Sequence, residues 1–211
     1  MTTPAPDVRV CFVGDSFVAG AGDPEHLGWV GRVAAAGHAD GRPLTSYDLG
    51  VRRGTSGDVL ARWRTECTPR LPTDCRAGVV VSFGVNGTTL EEGRPRTAPE
   101  RCAAHLEALL RQSREPGWPV LVVGPPAVDD EAQNDRTAVV DAAFTDVCSR
   151  LGVPYVGVLP ALRAHALWRA EVRAGDGAHP GAAGHATLAA LVLPTWRTWS
   201  AALGSGAGAN S

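Results

Sequence analysis

Apolar residues in this chain gather in short dense runs, separated by longer stretches where they recur every third or fourth position. The first run, Val8 to Val13 (VRVCFV), is nearly continuous, the pattern of a strand covered on both faces in a parallel sheet, and Gly14 breaks it. Leu27, Val30, Val33 and Ala34 then follow at helical spacing, with Gly37 placed to end that helix. A second strand is predicted over Leu44 to Val51. The turn Arg52 to Gly57 comes next, with Ser56 as the expected cap of a helix that bears Val59, Leu60 and Trp63 on one face. Ala77 to Phe83 is the most strand-like run of all, and it stops at Gly84-Val85-Asn86-Gly87. The polar stretch Thr88 to Pro99 leads into a helix marked by Cys102, Leu106, Leu109 and Leu110.

The second half repeats the alternation. Val120 to Val123 reads as a strand stopped by Gly124-Pro125-Pro126, and Asp129, Asp130 and Glu131 favour the start of a helix carrying Val139, Val140, Phe144 and Val147. A fifth strand is predicted over Val153 to Leu159, with Pro160 in the first turn of one helix through Leu162, Leu167 and Trp168. A last helix runs through Leu188, Leu191 and Trp196, where Pro194 is expected to end or kink it. Connections too long for hairpins make the sheet parallel with right-handed crossovers. The expectation is a single-domain three-layer α/β/α fold over residues 1–203, with a five-stranded parallel sheet in flavodoxin-like order 2-1-3-4-5 and a disordered tail at 204–211.

Composition narrows the function. The 211 residues are 44% hydrophobic and 20% charged with a formal net charge of -2, so no electrostatic feature calls for nucleic acid or an anionic membrane. All 20 basic residues are arginine, which removes phosphate-loop and Schiff-base lysine chemistry. No apolar run is long enough to span a bilayer, and the amino terminus lacks a basic start and an apolar core, so a cytoplasmic location is expected. Cys11, Cys67, Cys75, Cys102 and Cys148 lack the close pairing of zinc sites and read mostly as small buried hydrophobes. Trp29 and Trp168 are candidates for lining a pocket.

Three polar positions fall beyond the carboxyl ends of predicted strands, where open α/β sheets carry their chemistry: Ser16, Asn86 and the loop Asp176 to His179. A serine is a weak nucleophile until an imidazole takes its proton, and a carboxylate improves that imidazole by fixing its tautomer. Asp176, three residues before His179, can meet one ring nitrogen and leave the other for Ser16. The amide of Asn86, with backbone N–H groups near Ser16 and in the Arg52 to Gly54 turn, can surround an oxyanion. Asp176, His179 and His185 could also bind a metal, but histidines six apart do not share a helix face.

Here the chain resembles the GDSL or SGNH hydrolases, through GDS at Gly14 to Ser16, DLGVRRGTS at Asp48 to Ser56, GVN at Gly84 to Asn86 and DGAH at Asp176 to His179. The resemblance implies an esterase or lipase of the serine type acting on a small-molecule ester without metal or cofactor. It assigns Ser16 as nucleophile, His179 as general base and then acid, Asp176 as its orienting carboxylate and Asn86 as an oxyanion donor. An acyltransferase would use the same residues. Two positions depart from the family pattern: Arg53 or Gly54 must replace the oxyanion glycine of the second motif, and Gly87 stands where aspartate usually follows the asparagine.

Overall fold

The computed structural model describes residues 7–205. Strand β1 (Val8–Gly14) is flanked by two parallel neighbours, so both of its edges are paired, and helix layers bury both of its faces. Helix α1 (Gly28–Ala39) leads to β2 (Thr45–Gly50), α2 (Ser56–Cys67) and β3 (Arg76–Ser82). Then come a short α3 (Val85–Thr88), a hairpin of β4 (Leu90–Glu91) and β5 (Arg94–Pro95), α4 (Pro99–Gln112) and β6 (Val120–Val123). The chain continues through α5 (Glu131–Leu151), β7 (Tyr155–Val156), α6 (Leu159–Ala164), α7 (Ala166–Ala174) and α8 (Ala182–Ser205). The main sheet is parallel in the order β2-β1-β3-β6-β7, the expected 2-1-3-4-5 arrangement. The small antiparallel hairpin stands apart from it.

Period-two alternation divides the core. Val8, Val10 and Phe12 of β1 face a layer with Trp29 of α1 and Trp196 and Trp199 of α8, while Cys11 and Val13 face Trp63 of α2, Leu106 of α4 and Phe144 of α5. Leu121 and Val123 of β6 join the first layer, and Val120 and Val122 the second. A sheet covered this way opens to solvent only at its edges and ends, and the loops at its carboxyl ends hold the polar residues singled out above.

Several expectations need correction. The α2 cap is Thr55 rather than Ser56: Asp58 N–H donates to the Thr55 hydroxyl, and Thr55 N–H to the Asp58 carboxylate. Gly37 lies inside α1, packed near Leu44 and Trp196, and the helix ends at Ala39. The fifth sheet strand is only Tyr155–Val156, because it is an edge with one partner, follows Pro154 and gives way to α6 at Leu159. The single helix expected after Pro160 is two, divided at His165, whose Nδ1 accepts the Trp168 N–H and starts a new helix.

Pro194 does not end α8, which continues to Ser205 and so includes Gly204 of the expected tail. A proline inside a helix costs about 3 kcal/mol. Beyond it, Trp196, Trp199 and Leu203 are all buried in the core, and one buried indole contributes about 4 kcal/mol or more. Packing therefore outweighs the lost hydrogen bond. The rest of the tail, 206–211, lies outside the described residues. No helix among the described residues is long and apolar enough to cross a membrane.

Candidate active site

Strand β1 delivers Ser16. Its last residue, Gly14, accepts no side chain, because a Cβ there would overlap the Ser82 carbonyl of β3. The chain can therefore turn sharply against its neighbour. Asp15 Oδ1 accepts the Phe17 N–H at 3.0 Å, and the Ser16 carbonyl accepts the Ala21 N–H at 3.0 Å. Ser16 is thereby held at the carboxyl end of the sheet, nearly buried, on a turn closed by its own backbone.

The loop before α8 brings the other two groups. Ser16 Oγ lies 2.7 Å from His179 Nε2, and His179 Nδ1 lies 2.7 Å from Asp176 Oδ2. A carboxylate accepts, so Nδ1 carries the ring hydrogen and Nε2 is free to accept from the hydroxyl. The other oxygen of Asp176 takes the Ala178 and His179 N–H groups at 3.0 and 2.9 Å. Partial burial works against ionisation, but these hydrogen bonds from His179 and Ala178 prevail and hold Asp176 down to about 2. The carboxylate that fixes the imidazole is thus charged throughout the neutral range.

Asn86 arrives on α3, directly after β3. Its Nδ2 donates to Asp15 Oδ2 at 3.3 Å and to the Gly54 carbonyl at 3.2 Å. Asp15 is almost wholly buried, and burial pushes its carboxyl up to about 7 against the opposing hydrogen bonds from Phe17 and Asn86 and the nearby Arg62 charge. This carboxyl group therefore bridges the Phe17 N–H and the Asn86 amide.

The turn after β2 completes the ring. Arg53 has φ 64°, the left-handed conformation that costs a side-chain-bearing residue roughly 1 to 2 kcal/mol. The Gly54 N–H donates to the Val51 carbonyl at 3.1 Å, and no acceptor for the Arg53 N–H occurs among the described residues. A cavity of 440 Å³ opens beside Ser16 and His179. Phe17, Val85 and Val128 give it apolar wall, and Thr89, Asp129, Asp130 and Gln133 give it polar wall.

A family model for the GDSL-like lipase/acylhydrolase family matches residues 12–187. The chain belongs to this family. A comparison with curated proteins returns no match. Among solved structures, the lipase/acylhydrolase from Enterococcus faecalis is 20% identical, with 90% of this chain and 95% of that one covered and a TM-score of 0.69. TesA is 21% identical, covering 90% and 99% with a TM-score of 0.75. An acetylxylan esterase from Geobacillus stearothermophilus is 17% identical, covering 91% and 95% with a TM-score of 0.68. At these identities the likeness is one of fold.

Within a GDSL-like chain the two departures take on a physical shape. Arg53, aligned with the usual glycine of the second motif, has a left-handed φ of 64°, a conformation that glycine adopts without steric cost. At Gly87 a Cβ would lie 3.1 Å from Cys102 Sγ and 3.4 Å from Thr97 Cβ, so α4 fills the space that an acidic side chain would need. Cys102 and His105 share one face of α4, and the Ser56 hydroxyl sits 3.5 Å from the Cys102 sulfur and 2.9 Å from His105 Nδ1. One helix thus buttresses both the Asn86 segment and the start of α2.

Sequence reasoning missed several contributors. Asp15 read equally well as a turn residue, and nothing in periodicity marks its contact with Asn86. His185 is fully buried, with Nε2 at 3.0 Å from the Ala21 carbonyl on the nucleophile turn, rather than beside Asp176 as a ligand. Among the described residues no three metal-capable side chains gather. Trp29 and Trp168 are core residues: Trp29 packs edge-on to Phe12, and Trp168 stacks under Phe17 with its Nε1 donating to the Ala127 carbonyl. All five cysteines are free thiols, four of them buried.

Proposed function

We propose that the protein is a serine hydrolase that cleaves a small or medium acyl ester through an acyl-enzyme intermediate. The observation that carries this reading is the unbroken relay Ser16–His179–Asp176, 2.7 Å at each link, opening onto the cavity. His179 Nε2 takes the hydroxyl proton as Ser16 Oγ attacks the ester carbon, and Asp176 stabilises the imidazolium that forms. The oxyanion is received by the backbone N–H groups of Ser16 and Arg53, and by Asn86 Nδ2 once it exchanges one of its two present bonds, 3.3 Å to Asp15 or 3.2 Å to the Gly54 carbonyl, for the developing charge. Gly54, the other candidate, has its N–H committed to Val51. Collapse expels the alcohol with the proton returned by His179, and water then repeats the sequence to release the acid.

The lining supports an ester without negative charge. Asp129 and Asp130 stand on the cavity wall, Asp129 paired with Arg173, and among the described residues no arginine lines the cavity, so a carboxylate or phosphate beside Asp130 would meet like charge. Thr89, Asp129, Asp130 and Gln133 of the polar wall lie in the stretches 88–99 and 127–134, which would set specificity.

The test is covalent. A fluorophosphonate should label the wild-type protein at Ser16, and Ser16→Ala should lower kcat on an aryl acetate by ~10³-fold or more. An adduct mapping to any other residue overturns the assignment. Adding candidate alcohols and amines as acceptors to the same assay separates hydrolysis from acyl transfer by product.

A further inference from the structure

The strained peptide at Arg53 is held from outside its own turn. Arg96, just beyond β5, donates from Nη1 to the Arg53 carbonyl at 3.0 Å, and its Nε lies 3.0 Å from Glu91 Oε1 on β4. The next carbonyl along, that of Gly54, is taken by Asn86, and the next N–H, that of Thr55, by Asp58. Successive backbone groups of the turn are thus fixed by three separate elements. A left-handed φ on a residue other than glycine persists when its surroundings over-determine it. The Arg53 side chain is itself exposed, so the strain is not repaid by burying it.

Resting on the hydrolase reading above, we infer that Arg96, braced by Glu91, is a positioning residue for the oxyanion site: by bonding the Arg53 carbonyl it holds residue 53 in its left-handed conformation, which sets the direction of the Arg53 N–H. The pair fills the role that a glycine's free rotation fills where the second motif carries glycine. Arg96 does not line the cavity beside Ser16, so it acts through the Arg53 backbone and not on substrate. The hairpin between Asn86 and α4 then has a purpose beyond connection, since it carries both members of the brace. The turn Glu92-Gly93 between its strands uses two positive φ values, 52° and 77°, which sets the strand bearing Arg94 and Pro95 back alongside Glu91.

The inference predicts a specific coupling. Glycine occupies left-handed φ without steric cost, so the brace should matter when residue 53 is arginine and matter little when it is glycine. The experiment is a double-mutant cycle on the full chain with 4-nitrophenyl acetate as probe, using Arg96→Ala and Glu91→Gln, each in the wild-type and the Arg53→Gly background. Thermal melts are run alongside. With Arg53 present, Arg96→Ala should lower kcat about tenfold or more with KM changed less than twofold, the signature of a donor displaced from the transition state. Glu91→Gln, which opens no cavity, should lower kcat in the same sense by a smaller factor. In the Arg53→Gly background, whatever its own rate, both losses should shrink to less than about twofold.

Equal losses in the two backgrounds, no loss in the first, or a loss confined to KM would overturn the inference. If Arg96→Ala proves too unstable to assay, the Glu91→Gln arm decides on the same criteria. Ser16→Ala is measured in parallel. Turnover abolished by it, together with background-independent Arg96 losses, removes the positioning role and leaves the hydrolase reading intact; turnover that survives it removes both.

Discussion

Replacing Asp15 by asparagine should change how the protein's stability depends on pH, by an amount that follows from its burial. The side chain keeps its shape in Asp15→Asn but can no longer ionise. In the folded protein burial raises the Asp15 carboxyl from 3.8 to about 7. Below 3.8 it is protonated in both folded and unfolded chains and contributes nothing to the pH dependence. Between 3.8 and about 7 the unfolded chain gives up this proton while the folded chain keeps it, so the folded state binds more protons and stability falls as pH rises. At about 1.4 kcal/mol per pH unit, the loss reaches about 4 kcal/mol by pH 8. Asp15→Asn should not suffer it. Urea unfolding of both proteins across about pH 4 to 8 should therefore show the difference in unfolding free energy moving by about 4 kcal/mol in the variant's favour. Fixed costs of the substitution, such as a mismatched amide facing Asn86, shift the curve without tilting it. Titrations elsewhere occur in both proteins and cancel. A difference that stays flat within about 1 kcal/mol would refute the reasoning, since it would mean that Asp15 ionises in the folded protein much as it does in water. The result also bears on the proposed mechanism, because the same carboxylate bonds the Asn86 amide.

Two further outcomes follow from the same geometry. Under the proposed mechanism, in which the Asn86 amide meets charge that forms only in the transition state, Asn86→Ala should lower kcat by ~10²-fold with little change in KM; an unchanged kcat with a raised KM would make it a binding residue instead. His185, whose burial holds its imidazole below 6.5, favours the folded state fully above that pH and progressively less as acid protonates the unfolded chain. His185→Gln should consequently lose less thermal stability than wild type between about pH 7 and 5, and equal losses would show that His185 does not carry the acid sensitivity.

Much of this protein was legible in the chain itself, wherever short-range pattern and physical consequence coincide. The uninterrupted apolar runs around Val10, Val80 and Val122 require two covered faces, and the long connections between them require parallel pairing, so the strand order followed. Ser16, Asn86 and the Asp176–His179 pair could be placed on one edge for the same reason: each comes directly after a buried strand or in the last loop before α8. Tertiary structure decided what depends on neighbours distant in sequence. Helix α8 passes through Pro194 because Trp196 and Trp199 find a core to fill, and no local rule weighs that burial against a missing N–H. Among the described residues Arg53 rather than Gly54 is left without an acceptor for its N–H, because the Val51 carbonyl takes the other, and Arg96 and Asn86 bond the two carbonyls that follow the left-handed φ of Arg53. Asp15 looks like a turn residue in sequence; only the arrival of Asn86 and the exclusion of water around it give its carboxyl a different proton affinity. Periodicity reports which face of an element is buried. The energy of a bond between residues dozens of positions apart, and the strain or protonation state that it sustains, exist only once the elements have packed.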